Sequence, residues 1–407
     1  MSRKEIAIIG GGASGIAAAL SAARTAPCSH IILLEGLDRV GKKILATGNG
    51  RCNLGNEDIS PSHYHSRSPE RLEALLAQMP STRTTDFFRS LDLLCATEEM
   101  GRIYPYCRQA AMVLDVLLLA LERAGVDIRC GQTVTGIQHK KGRFQLRLEN
   151  TPSVTADRVI LAAGGKAAPK QGVTGVGHLL AQSLGHRCTP LSPHLVPLKC
   201  AGMPKGLKGI RVQGALELLD GSTRVAREVG EIQLTDYGVS GIPALQLSCH
   251  MDRCSAPVLR LDFFPSLPEA DLRRMLREQL RRHGSEPLET ALLGSLQKRV
   301  LFAMLKNARI EPLSRRADTL SVKEIERLSR LLKDWTLPVT GTLTWEQAQV
   351  TGGGVPLDEI NDDFSSRRCD GLYLTGEMLD VSGDCGGYNL HWAWCSGLIA
   401  GAAAQTD

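Results

Sequence analysis

Residues 5–35 read EIAIIGGGASGIAAALSAARTAPCSHIILLE, and this stretch decides the fold. Residues 6–9 form a short apolar run of the kind that a strand buried on both faces of a parallel sheet requires. The run gives way to Gly10-Gly11-Gly12-Ala13-Ser14-Gly15 and then to an alanine-rich, helix-favouring segment over residues 16–24. A second apolar run, residues 30–34, ends at Glu35. Strand, glycine turn, helix, strand, acid is the order of a dinucleotide-binding unit. Gly10 permits the tight turn, Gly12 lets a pyrophosphate approach the backbone, and Gly15 lets helix and strand pack closely. The helix N-terminus offers free N–H groups and partial positive charge to the phosphates. Glu35, 20 residues past Gly15, stands where an acid accepts hydrogen bonds from ribose hydroxyls, which favours FAD or NAD over NADP.

Further along, residues 126–163 read as strands with short turns: VDIRC, TVTGIQ, RFQLRLE and an apolar run ending in Gly164-Gly165. A β-meander returning to a parallel sheet is what flavoproteins with two dinucleotide-binding motifs add to the first unit, and Val134 sits where such proteins touch adenine through the backbone. Residues 210–262 alternate and carry turn signals such as Asp220-Gly221, as a small antiparallel barrel would. Residues 269–334 then become helical, with helices expected over 269–283, 288–306 and 321–335. Strand and glycine-turn texture returns at residues 372–375 and at Gly386-Gly387-Tyr388-Asn389, which opens a last helix. The expected organisation is a discontinuous domain, 1–189 with 336–407, interrupted by an insert at 190–335 that is β-rich over 190–265 and helical over 266–335.

Composition narrows the class. At 407 residues, 43% hydrophobic and 22% charged, the chain is an ordinary globular one, not a collagen, a coiled coil or a disordered polymer. No run of 18 uncharged apolar residues occurs, so no membrane span is expected. The first strand begins at once, with no signal-peptide pattern, and a cytoplasmic location is expected. Twelve cysteines are scattered, the nearest two being Cys249 and Cys254. That spacing fits neither a zinc site nor a redox dithiol, so buried thiols are expected. His63 and His65 share a loop, but histidines two apart are more often exposed than metal ligands, and no metal centre is expected.

Five stretches together carry a resemblance: GKKILATGNGRCN (41–53), LAAGGKAAPKQGVTGVG (161–177), TDYGVSGIP (235–243), TGGGV (351–355) and GEMLDVSGDCGGYNL (376–390). The set resembles the BaiN/YhiN-like family of FAD-dependent oxidoreductases, also described as aminoacetone-oxidase-like, from the first strand to the last helix. The resemblance implies an α/β fold: a Rossmann-like FAD domain built from both chain ends, with an inserted small β-barrel and helical subdomain. Two departures are visible. Thr235-Asp236 stands where members often read Thr-His, and Gly241-Ile242-Pro243 where they tend to read Ser-Gly-Pro.

The candidate cofactor-binding residues follow from both readings. In the first unit they are Gly10, Gly12, Ala13, Ser14, Gly15 and Glu35. In the second stretch they are Lys42, Lys43, Gly48, Arg51, Cys52 and Asn53, with Arg51 suited to a bidentate phosphate or carboxylate contact. Val134, Ala163 and Gly164 come from the middle of the chain. Gly376, Glu377, Asp380, Gly386, Gly387, Tyr388, Asn389 and Leu390 complete the set. Asp380 is placed to bind ribityl hydroxyls, and the helix end at Gly387 to stabilise negative charge on the reduced flavin.

A bound flavin carries the hydride chemistry, and the protein supplies position and electrostatics. No second strand–GxGxxG–helix unit exists for a docked nicotinamide nucleotide, so NAD(P)H is expected as a transient reductant. Reducing a polarised C=C also needs a proton from an acid near the substrate. Cys52 is the first candidate, followed by Tyr237, Tyr388 and Tyr104. Charge is uneven: residues 190–335 hold 23 Lys+Arg against 17 Asp+Glu, a net of +6, and the remainder a net of −1. Arg273, Arg277 and Arg281 recur every four residues on one helix face, with Arg274 and Arg282 beside them. Such a face would suit RNA phosphates, although no aromatic residue lies in that helix to stack a base. Three functions stay open: reduction of uridine to dihydrouridine in ribosomal RNA, reduction of a small-molecule enone, and oxidation of an amine by O2.

Overall fold

The computed structural model describes residues 4–25 and 27–405. The chain divides into two compact units, one running to His194 and resuming at Trp345, the other Leu195–Thr344. In the first, five parallel strands lie in the order Leu372–Leu374, Arg158–Leu161, Glu5–Ile9, His30–Leu34, Asp127–Arg129. Ile6, Ala7, Ile8 and Leu33 are fully buried, as strands covered on both faces must be. From Glu5–Ile9 the chain moves to one side of the sheet, and Arg158–Leu161 lies on the other. The order therefore reverses at the first strand, which opens a crevice beside Gly10 at the carboxyl ends of the strands.

This is the Rossmann-like α/β fold expected from residues 5–35. One strand was read wrongly: VDIRC supplies Asp127–Arg129 of the parallel sheet, not part of the meander. The antiparallel meander consists of Val134–Lys140, Arg143–Leu148 and Val154–Ala156. Its alternating burial, clearest in Arg143–Leu148, marks a sheet with one buried face.

The opening helix Ala13–Thr25 and the closing helix Tyr388–Ala403 meet backbone to backbone. A Cβ at Gly397 would lie closer than 3.0 Å to the Ser14 carbonyl oxygen, and one at Gly401 equally close to that of Ala18. Ser21 Oγ donates to the Leu398 carbonyl at 2.7 Å across the same seam. One face of the closing helix also buries His391 completely. Its Nε2 donates to the Met79 carbonyl at 2.9 Å, and its Nδ1 accepts from Thr84 Oγ1 at 2.8 Å. Both nitrogens are thereby used by the neutral ring, and burial pushes the imidazole down to about 4.

The second unit is a closed six-stranded barrel. Around it run Leu198–Cys200, Gly238–Ser240, Thr223–Leu234, Arg211–Asp220, Pro257–Asp262 and Trp335–Thr342. Leu216, Leu218, Ile232, Leu234, Leu259 and Leu261 are fully buried here. Residues 336–342, assigned by the sequence to the other unit, belong to the last barrel strand. The helix Glu269–Arg282 buries Leu272, Leu276 and Leu280, a stripe of period four. The helix Val322–Lys333 starts at a capping box, with the Ser321 N–H donating to Glu324 Oε2 at 2.8 Å. The single helix expected over 288–306 is two, Leu288–Ala291 and Lys298–Asn307. Gly294 takes φ +91°, and Gln297 caps the second piece by accepting from Arg299 and Val300 N–H.

The arginine stripe is not a row of unpaired cations. Arg273 and Arg277 both reach Glu326 Oε1, at 3.4 and 3.6 Å, and Arg274 pairs with Asp271 at 2.6 Å. Arg281 and Arg282 are exposed. All twelve cysteines are free thiols, but only Cys52, Cys200, Cys249, Cys369 and Cys395 are buried, fewer than expected. Among the described residues no helix is long and apolar enough to cross a membrane.

Two outcomes follow from this packing. Gly397→Ala forces the two helices apart and should cost about 1–3 kcal/mol, read as a lowered thermal midpoint. His391 is neutral in the folded chain, whereas its unfolded counterpart takes up a proton below pH 6.5. Stability should therefore fall as pH drops from 6.5 toward 4, by up to roughly 3 kcal/mol from this group. Denaturant titrations across that window should show a flatter pH dependence in His391→Gln.

Candidate active site

The glycine turn after the first strand is shaped by what surrounds it. Gly10 takes φ +107°, and a Cβ there would run into the Ala162 backbone. Gly12 is the opposite case: a Cβ would meet no atom within 4 Å, so its backbone is open to an approaching group. The opening helix begins with the Ile16 N–H donating to the Gly12 carbonyl at 2.9 Å. N–H groups of the preceding residues thus belong to the unsatisfied first turn. Glu35 braces this turn: Oε2 accepts from Gly11 N–H and Oε1 from Leu37 N–H, both at 2.8 Å. Each oxygen keeps a lone pair for a ribose hydroxyl. Gln132 N–H donates to the Glu35 carbonyl at 2.8 Å, which brings the start of the meander to the same end of the sheet. Val134 is buried in the core there.

Four of the quoted stretches are tied together by one polar network. Lys43 Nζ pairs with Glu377 Oε2 at 2.7 Å. Glu377 Oε1 accepts from the Thr351 N–H at 2.9 Å and from its hydroxyl at 2.7 Å. Thr351 Oγ1 in turn accepts from Lys166 and Ala167 N–H at 2.7 and 3.0 Å. Ala163 and Gly164, half-buried, lead into this knot, while Lys42 stays half-exposed beside Lys43. The closing helix holds the next turn: Gly376 N–H donates to Ser396 Oγ at 3.0 Å, and Trp392 Nε1 donates to the Gly376 carbonyl at 3.1 Å. Asp380, almost fully buried, is fixed through its N–H to the Val355 carbonyl at 2.9 Å.

The GNGRCN loop is unusual backbone. Gly48, Asn49, Gly50 and Cys52 all take positive φ, strained for Asn49 and Cys52. Arg51 does not stand out as a lone cation. It lies over the Tyr104 ring, 4.4 Å from the centroid, donates to the Tyr104 hydroxyl at 3.2 Å and pairs with Glu98 at 3.5 Å. Cys52, the first candidate for proton donor, is fully buried, and burial pushes its thiol up to about 12. A donor must reach the substrate, so this expectation is withdrawn for Cys52. Tyr388 is also buried, stacked on His63 at 4.5 Å, and burial first, then the nearby Asp58 and Asp384, push its phenol up to about 12. Tyr237 belongs to the barrel unit. Asn53 Oδ1 is buried with no hydrogen-bond partner, beside the position that a Cβ on Gly387 would take.

Gly386 and Gly387 take φ of +152° and +103°, and Gly387 caps the closing helix whose first turn holds Tyr388, Asn389 and Leu390. Asn389 works locally, its amide exchanging hydrogen bonds of 2.8 and 2.7 Å with the Gly383 backbone. Several side chains here were not singled out as functional by the sequence. The strand Tyr64–His65 pairs with Ser382–Gly383, and Asp384 bonds both His63, at 3.3 Å, and His65, at 2.9 Å. His194 Nδ1 meets Ser382 Oγ at 2.8 Å, and its ring occupies the space above Gly352. Nothing in the local sequence signals these partners, which lie about 190 to 320 residues apart.

The residues present fit a bound FAD. The open backbone at Gly12, the acid at the strand end and the orphaned Asn53 oxygen are the features that would receive it.

Comparison with known proteins agrees. A family model described as HI0933-like protein Rossmann domain matches residues 4–403. The chain is 40% identical over 405 residues to a 3-dehydro-bile acid delta(4,6)-reductase of Clostridium scindens, covering 98% of each chain. It is 29% identical over 411 residues to a ribosomal RNA dihydrouridine synthase of Escherichia coli K12, covering 100% of this chain and 98% of that one. Among solved structures, the 3-ketosteroid-delta4-(5alpha)-dehydrogenase of Rhodococcus jostii RHA1 superposes with a TM-score of 0.50 at 15% identity, over 99% of this chain and 97% of that one, a likeness of fold.

Gly12 separates cradle from fold. Because an added methyl meets nothing, Gly12→Ala should match the parent in thermal midpoint without cofactor. Its FAD dissociation constant should rise about tenfold or more, the equivalent of ~1.4 kcal/mol, measured by flavin fluorescence on titration of the apoprotein.

Proposed function

The chain belongs to the HI0933-like Rossmann family and is a FAD-dependent oxidoreductase. From that premise we propose that it takes hydride from NAD(P)H and delivers it to a carbon–carbon double bond conjugated to a carbonyl, in a small fused-ring enone. The observation that carries this reading is the 40% identity to the bile acid reductase, sustained over 98% of both chains. Uridine offers the same bond type, since dihydrouridine is uridine with the ring double bond conjugated to a carbonyl saturated. An RNA substrate, however, needs cations free to meet phosphates. Two arginines of the basic helix instead share Glu326, and a third pairs with Asp271. Arg281 and Arg282 stay exposed, so the preference for a small-molecule enone rests on 40% against 29% identity.

In this reading FAD, when bound, supplies the two-electron relay between nicotinamide and substrate. The chain does the rest. Gly12 and the N–H groups opening the first helix hold the pyrophosphate, and Glu35 accepts from the adenosine ribose. The N-terminus of the closing helix, presented at Gly387, offers partial positive charge to a ring that becomes more anionic on reduction. The Glu377–Thr351–Lys43 network keeps these segments in register while the substrate is exchanged. No second glycine-turn unit is needed, because the nicotinamide nucleotide leaves after each hydride.

The test is anaerobic. NADH or NADPH should bleach the flavin, and a 3-oxo steroid with a conjugated double bond should restore its colour with a saturated product by mass. The rate should be the same at ~50 and ~200 mM salt, whereas a substrate held through many phosphates would lose about 10³-fold or more in affinity. Restoration by ribosomal RNA and not by the enone would overturn the substrate class. Peroxide formed from a simple amine without nicotinamide would overturn the reaction.

A further inference from the structure

Four titratable side chains form an unbroken hydrogen-bonded line in the first unit. Asp58 Oδ2 meets His63 Nε2 at 3.2 Å. His63 Nδ1 meets Asp384 Oδ2 at 3.3 Å, and Asp384 Oδ1 meets His65 Nε2 at 2.9 Å. Their side-chain exposure falls along the line, from 64% at Asp58 through 31% and 14% to 11% at His65. One end is therefore in solvent and the other is nearly enclosed. The connectivity is that of a relay. His63 faces one carboxylate with each ring nitrogen, so a proton taken on Nε2 has a receiver waiting when another leaves Nδ1. Asp384 likewise uses one oxygen on each side. The backbone holds the line straight: His63 accepts the Asp384 N–H at its carbonyl at 2.9 Å, Tyr64–His65 pairs with Ser382–Gly383, and the His63 ring stacks on Tyr388 in the first turn of the closing helix.

We propose that Asp58, His63, Asp384 and His65 are a proton-conducting chain that delivers the proton consumed when the substrate double bond is reduced. This assignment rests on the reduction proposed above, which needs a proton for each hydride. The balance closes. NAD(P)H loses a hydride, one alkene carbon gains it, a transfer that FAD would mediate when bound, and NAD(P)+ leaves. The other alkene carbon gains a proton from His65. Asp384 gives the proton on its Oδ1 to His65 Nε2 as its Oδ2 takes one from His63 Nδ1, His63 Nε2 takes one from Asp58 and Asp58 one from water, and rotation of the Asp384 carboxyl and the imidazole rings restores the starting bonds. The relay ends each turnover in the charge state in which it began. Cys52 and Tyr388, whose protons burial holds tightly, have no part in it.

The line is tested by breaking it and supplying a substitute. In FAD-loaded His63→Gly, flavin bleaching by NAD(P)H should keep its parental rate. Enone reduction should slow about 10²-fold at unchanged KM, and added imidazole should restore it while giving the parent enzyme nothing. Turnover within about twofold of the parent, or a loss that imidazole does not repair, would overturn the proposal. Should that variant fail to load FAD, Asp58→Asn at the exposed end decides. Proton uptake, followed with an indicator dye, should lag in dilute buffer and recover in concentrated buffer, and no lag would overturn the relay. A measurement independent of turnover is nitrogen NMR of the imidazoles. Asp58→Asn should shift His63 and, through Asp384, His65, while His139 stays in place. A shift confined to His63 would mean the line does not conduct. If the parent enzyme reduces no enone, the function above is wrong, and the NMR result still reports on the line.

Discussion

The backbone contact between the first and last helices is the constraint on which the rest depends. Gly397 and Gly401 lie on the carbonyls of Ser14 and Ala18 with no room for a side chain between them. Such proximity fixes the closing helix as firmly as a strand in the sheet would. The closing helix in turn positions Gly376, through Ser396 and Trp392, and presents its own N-terminus at Gly387. The glycine turn that opens the sequence and the glycine turn near its end thus face the same crevice because two helices touch at small residues.

The polar knot around Glu377 works at a different level. Lys43, Thr351 and the backbone of Lys166 and Ala167 reach it from segments far apart in sequence. None of these contacts buries much apolar surface, and each is worth only about a kilocalorie per mole net. Their value is geometric. They hold loops that no regular sheet pairing joins, at the end of the sheet where the order of strands reverses.

What the sequence disclosed is what local physics controls. The first strand, glycine turn and helix are legible because Gly10, Gly12 and Gly15 have separate steric tasks within six residues. The helices Glu269–Arg282 and Val322–Lys333 are legible as helical stretches to within two residues of their bounds. Apart from the helix broken at Gly294, the failures involve partners distant along the chain. Arg273 and Arg277 read as an open cationic face because Glu326 lies some fifty residues on. VDIRC read as meander because its neighbour, His30–Leu34, is nearly a hundred residues earlier. Cys52 looked reactive because a flexible, glycine-flanked loop gives no sign that the thiol turns into the core. His63 and His65 looked like surface histidines because Asp384 is invisible from their position. The segments that form the candidate site were recognisable, but the division of labour among their side chains was not.

The discontinuous sheet also bears on how the protein is made. Glu5–Ile9 leaves the ribosome more than 360 residues ahead of Leu372–Leu374. At about 5–20 residues per second, roughly 20 to 70 s separate them. During that interval the whole barrel unit emerges and can close on itself, since all six of its strands lie between Leu195 and Thr344. The opening helix has no such option. Its bare glycine-matched seam waits, exposed, for a partner made more than 360 residues later, so the nascent chain depends on protection from aggregation until that helix has emerged.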